Sequence, residues 1–177
     1  MNFSELIKQR QSNRSYQSKP VEQEKIEQCL EAARLAPSAN NAQSWTFVVV
    51  DEPELKNRVG ESVARLGMNQ FVNQAPVLIA VVVEKPIFLT RLGSMVQNKD
   101  YPLIDIGIAV EHICLQAADL GLGSCIVGWF NENDIKKLLN IPRDKRLALI
   151  VALGYPKDVP REKRRKLREE VIHFNRY

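Results

Sequence analysis

The chain has 177 residues, of which 45% are hydrophobic and 26% charged, and a net charge of +4. That length suits one domain, 1–177, able to bury roughly 70% of its unfolded surface, and no apolar run is long enough to span a membrane. Two histidines without a partner at ligand spacing and three cysteines without a CxxC pair argue against a zinc site, a histidine-based triad and a disulfide scaffold.

The first helix begins at MNFSELIKQR. Asn2 followed by Glu5 has the spacing of a capping box, and Phe3, Leu6 and Ile7 supply an apolar face up to about Arg10. The segment turns polar after two helical turns, so it is no signal peptide and the cytoplasm is the default compartment. In RQSNRSY, Arg10, Ser12 and Arg14 occupy alternate positions. In an extended strand they would share one face, and arginine forks suit phosphate oxygens. A solvated helix end fits the same residues.

Ile26, Cys29, Leu30 and Ala33 mark a second, amphipathic helix over 22–35. The loop APSANNAQS follows, rich in small and amide residues that fit either a plain turn or the edge of a heteroaromatic ligand. WTFVVVD then reads as a buried strand. Leu55, Val59, Val63 and Leu66 make a third helix, and PVLIAVVVE is apolar on both faces, as a mid-sheet strand is. The stretch 85–102 has weak periodicity and reads as a loop or short lid.

The stretch 104–120 is the organising helix. Ile106, Ala109, Val110, Ile113, Cys114, Ala117 and Leu120 form one stripe, while Ile108, Leu115 and Ala118 extend it round the helix. A helix apolar on most sides is buried on most sides, so it packs on its own sheet and on something else, for which a second copy is the simplest candidate. Gly121 is placed to end it, and SCIVGWF has strand composition. Asn131 caps a short helix with Ile135, Leu138 and Leu139, and LALIVALGY is the last core strand. Four strands irregularly alternating with five helices indicate an α+β fold.

Charge collects in the C-terminal arm, 155–177. Seven basic residues between Lys157 and Arg168, against Asp158 and Glu162, give that run +5 and leave the rest at −1. Aromatics for stacking on bases are few there, so nucleic acid is a distant reading; a solvated surface or a site for one small anion fits better.

Four motifs in order, RQSNRSY, APSANNAQSWTFVVV, GLGSCIVGW and GYPKDVPREKRRKLREEVIHF, resemble the nitroreductase family of FMN-dependent oxidoreductases. The resemblance implies a central mixed β-sheet flanked by helices and a homodimer built on the central helix, with FMN at the interface. It implies that Arg10, Gln11, Ser12 and Arg14 meet Lys163 and Arg165 around the FMN phosphate. Pro37, Ser38, Asn41 and Gln43 would reach the neighbouring copy's flavin, and Ile126 and Gly128 would lie along the ring, with the Trp129 indole either walling the pocket over it or belonging to the core. The backbone N–H of Gly128 would face flavin N5, with no side chain acting as catalytic acid or base. The implied reaction takes electrons from NADH or NADPH to nitroaromatics, quinones or similar flat acceptors by ping-pong turnover, with no metal, nucleic acid or membrane involved. Dehalogenation, flavin degradation or flavin sensing on the same fold is the alternative.

Overall fold

Four strands carry the fold in a computed structural model that describes residues 1–65, 67–85 and 97–177. They are β1 (Trp45–Val50), β2 (Val77–Val83), β3 (Gly123–Val127) and β4 (Arg146–Gly154), in spatial order β1-β2-β4-β3. All three ladders are antiparallel. The mixed sheet expected from the resemblance is therefore antiparallel among the described residues, its one parallel feature being an isolated bridge between Ser12 and Ser124. β2 and β4 occupy the centre, which is why their sequences are apolar on both faces.

Five α-helices are described: α1 (Phe3–Gln9), α2 (Gln23–Arg34), α3 (Pro53–Ala64), α4 (Tyr101–Asp119) and α5 (Glu132–Leu138). The sheet separates two cores. On one face Ile26, Cys29 and Ala33 of α2 and Ile106, Ala109 and Ile113 of α4 pack with Ile79, Val81, Val151 and Leu153. On the other, Val59 and Val63 of α3 and Ile135 of α5 pack with Leu78, Ala80, Ile150 and Ala152. Alternate residues of β2 and β4 thus serve opposite cores, as the two-residue period of a strand demands.

α4 ends in a Schellman motif. Gly121 has φ +75, its N–H donates to Ala118 O at 3.1 Å, and the Leu122 N–H donates to Ala117 O at 2.8 Å. The chain then enters β3, which stops at Val127; the strand predicted through Phe130 is shorter because Gly128 to Phe130 leave the ladder. The predicted capping box of α1 is present, with the Glu5 N–H donating to Asn2 Oδ1 at 2.9 Å and the Asn2 N–H donating to Glu5 Oε2 at 3.1 Å. The lid considered for 85–102 falls largely on 86–96, outside the described residues. No helix among the described residues is long and apolar enough to cross a membrane, and no metal-ligand cluster occurs among them.

Candidate functional site

The two ends of the chain meet beside β3. The Asn13 N–H donates to Ser124 O at 2.9 Å, the Gln17 N–H to Tyr155 O at 2.8 Å and the Lys157 N–H to Ser15 O at 2.9 Å. Segment 12–17 is thereby held between the sheet edge and the start of the C-terminal arm. Buried Tyr16 anchors it from below, its hydroxyl donating to Asn13 O at 2.9 Å, and burial pushes that phenol above its ordinary pKa.

Further along, the arm folds back over 10–12. The Arg161 N–H donates to Gln11 Oε1 at 3.0 Å, the Gln11 amide donates to Val159 O at 3.1 Å, and Arg161 Nη2 donates to Ser12 O at 2.6 Å. Lys163 Nζ donates to Arg10 O. These contacts enclose a cleft of about 680 Å³, lined by Arg10, Gln11 and Ser12 from one end of the sequence and by residues 161–165 from the other. Five cations line it with Glu162, and one of them, Arg10, is also paired with Glu111. Burial first, then repulsion from Arg10 and Arg165, pulls the Lys163 amine below its ordinary pKa. Arg10 Nε lies 3.3 Å from Glu111 Oε1 of α4 without making a hydrogen bond. Such a concentration of positive charge is suited to an anion.

The cleft brings together Arg10, Gln11, Ser12, Lys163 and Arg165, which the resemblance implies share a site, and adds Arg161 and Arg164 of the charge run. Arg14 does not line it; its guanidinium lies 5.9 Å from the Phe71 ring centroid. Arg161 was findable in principle, since it lies two residues from Lys163 and would share its face in extended chain.

Ile126 in β3 and Gly128 just past its end line none of the cleft. Both are exposed, and the strand from Ser124 to Val127 covers about 10 Å. Gly123 and Gly154 are glycine because their neighbours leave no room: a Cβ would meet Asn13 Cγ at 2.7 Å and Pro76 Cδ at 2.5 Å respectively. At Gly128 it would meet only Leu149 Cδ2, at an ordinary 3.7 Å. Nothing in its own chain requires glycine at 128. Trp129 is 61% exposed, so its indole is not core, and its carbonyl accepts from Asn69 Nδ2 at 3.0 Å.

Pro37, Ser38, Asn41 and Gln43 lie apart from the cleft and line none of it. Their loop is knotted on itself, the Gln43 N–H donating to Ser38 Oγ at 3.0 Å and the Asn41 N–H to Ser38 O at 3.0 Å. It is tied to α4 through Asp105, whose two oxygens each lie 3.1 Å from the Ala39 nitrogen. Asp105 and Glu111 point about 120° apart round the helix axis. Loop and cleft therefore leave α4 in different directions.

Comparison with known proteins converges on one family. The sequence model of the nitroreductase family matches residues 7–67 and 64–155. An Archaeoglobus fulgidus protein provisionally named NADH dehydrogenase/NAD(P)H nitroreductase is 33% identical over 157 residues, covering 86% of this chain and 84% of its own. The Bacillus subtilis FMN reductase [NAD(P)H] is 29% identical over 190 residues, covering 99% of this chain and 75% of its own. The solved structure of an FMN-dependent nitroreductase from Clostridium difficile superimposes with a TM-score of 0.81 at 28% identity, covering 97% of this chain and 98% of that one.

Proposed function

The chain belongs to the nitroreductase family, and on that premise we propose that it is an FMN-dependent oxidoreductase that takes electrons from NAD(P)H and passes them to flat acceptors such as nitroaromatics and quinones. The observation that carries this reading is the cationic cleft assembled from opposite ends of the sequence. It fits a phosphate, and the strip that carries exposed Ile126 and Gly128 fits the rest of the molecule, with a glycine where a flat ring would lie against backbone.

Arg10, Ser12, Lys163 and Arg165 would hold the phosphate, with Arg161 and Arg164 adding charge and Gln11 fixing the arm. Ile126 offers an apolar surface to the ring, and Gly128 lets its backbone approach closely. The bound FMN supplies the redox chemistry; the protein supplies binding, orientation and electrostatics. Trp129 stands at the mouth of the strip, where it can limit the shape of what enters.

The same reading makes the protein a homodimer. Ile104 and Ile108 of α4 are 51% and 36% exposed, and a Cβ on Gly107 between them would meet nothing within 4 Å. A second copy of α4 would cover this face and carry the 37–43 loop to the cofactor held by its partner. That explains why the loop and the cleft diverge within one chain. Three buried free thiols suit a reducing compartment, which favours the cytoplasm.

The test is the colour and specificity of the purified protein. It should be yellow, release FMN on denaturation, and oxidise NADH or NADPH when a quinone or nitroaromatic is supplied. Apo-protein should bind FMN far more tightly than riboflavin. Equal affinity for the two would overturn the phosphate cleft as the cofactor seat.

A further inference from the structure

The loop that carries Ser38, Asn41 and Gln43 has an uncomfortable backbone. Asn40, Asn41 and Gln43 have φ of 53, 53 and 47, three left-handed non-glycine residues within four positions. Such conformations persist only where the surroundings hold them. Within the loop, Ser38 accepts two backbone hydrogen bonds, from Asn41 and Gln43. Those bonds close the loop on itself without fixing its place on the protein.

Asp105 ties the loop to α4. The side chain leaves α4 into the interior, where the residue is 3% exposed, and both oxygens lie 3.1 Å from the Ala39 nitrogen. Among the described residues this N–H is the one hydrogen-bond donor to it. A buried carboxylate with a single donor costs stability that an apolar residue would spare. Ala39 directly follows Ser38, so the clamp acts on the residue about which the loop closes. Asp105 also sits one position from Ile104 on α4, whose exposed face is the proposed dimer surface.

We infer that Asp105 is a positioning residue of the flavin site: through the Ala39 N–H it holds the 37–43 loop in the place from which the loop reaches the cofactor. This rests on the FMN reading above and adds that the loop is useful only when anchored to α4. Asp105 itself touches no reacting atom.

A double-mutant cycle on the holoprotein tests it. Asp105→Ala removes the acceptor, and Ala39→Pro removes the donor. Proline suits position 39, because Ser38 is already extended at φ −144, ψ 152 and residue 39 opens a 3₁₀ turn. Each change should weaken FMN binding by about tenfold in fluorescence titration of the apo-protein and alter the visible circular dichroism of the bound flavin. The double mutant should be no worse than either single one. Asp105→Asn, whose amide oxygen can still accept from Ala39, should recover most of the affinity and the wild-type spectrum. Additive losses, or an Ala39→Pro protein with wild-type affinity and spectrum, would overturn the inference. If Asp105→Ala fails to fold, Ala39→Pro and Asp105→Asn decide: weak binding with an altered spectrum in the first and near-wild-type behaviour in the second support the clamp, and any other pairing overturns it. Wild-type protein that binds no FMN would instead sink the functional reading.

Discussion

At the scale of single residues, Gly128 separates what the chain needs for itself from what it needs for a ligand. Its backbone is not left-handed and a methyl group would fit beside Leu149, so Gly128→Ala should leave apo-protein stability within about 0.5 kcal/mol of wild type. If a flavin ring lies against that backbone, the same change should lower turnover tenfold or more. Thermal unfolding of the apo-protein and steady-state rates would separate the two; unchanged turnover would remove Gly128 from the site. The cleft gives a second contrast. Losing a charge-assisted bond costs about 1.5–3 kcal/mol, so Lys163→Ala should weaken FMN binding at least tenfold. Arg14→Ala should cost less, because its guanidinium lies over Phe71 and outside the cleft lining. Alternation along RQSNRSY made Arg10 and Ser12 legible as one face. It could not show that Asn13 turns inward at Ser124 and sends Arg14 away, since that depends on a hydrogen bond to a residue 111 positions on.

At the scale of elements, local chemistry was legible wherever neighbours in sequence decide it. The α1 capping box, the Asn131 cap of α5 and the glycine stop of α4 all appear where their residue types stand. The antiparallel sheet was not legible, because strand direction is set by how loops cross the molecule and not by strand composition. One tether joins α2 to the end of β4. The Tyr155 hydroxyl donates to Glu22 at 2.6 Å, and Lys25 Nζ donates to the Tyr155 oxygen at 2.7 Å. That hydroxyl, ahead of a backbone bond and the lysines, lowers the Glu22 pKa to about 2. A depressed folded pKa gives stabilisation that is full above the ordinary value of 4.5 and is lost as pH falls through about 2. Tyr155→Phe should therefore return the Glu22 titration toward 4.5, as carboxyl NMR would show, and shrink the part of the stability of α2 that is lost between about pH 4.5 and 2. Gly107 of α4 poses the sharper question. An exposed mid-helix glycine replaced by alanine gains about 1 kcal/mol in an isolated chain. If a second α4 packs there, Gly107→Ala should instead weaken the dimer, and sedimentation against concentration would show which holds.

At the scale of the whole molecule, the proposed dimer would divide the site between two copies, and that division is what sequence reading misses. The polar loop at 37–43 and the basic run at 157–168 are each recognisable by residue type, but no periodicity could place them in two different sites, as the proposed dimer does. The proposal accounts for the exposed Ile104 and Ile108 on α4, and under it Ile108→Glu should produce monomers and release FMN together. The same geometry bears on kinetics. Among the described residues there is one cleft gathering arginines and lysines from both chain ends, and GLGSC follows α4 instead of opening a helix, so it is not a second dinucleotide seat. If FMN takes the phosphate cleft as proposed, NAD(P)H and the acceptor would use the strip beside Ile126, Gly128 and Trp129 in turn. Oxidised nicotinamide then leaves before the acceptor enters, which predicts ping-pong turnover. Varying NAD(P)H at several fixed quinone concentrations should give parallel double-reciprocal lines. Trp129→Ala should change KM for both substrates, because both pass the same exposed indole. Intersecting lines would mean that donor and acceptor are bound together, and a shared site could not then be sustained.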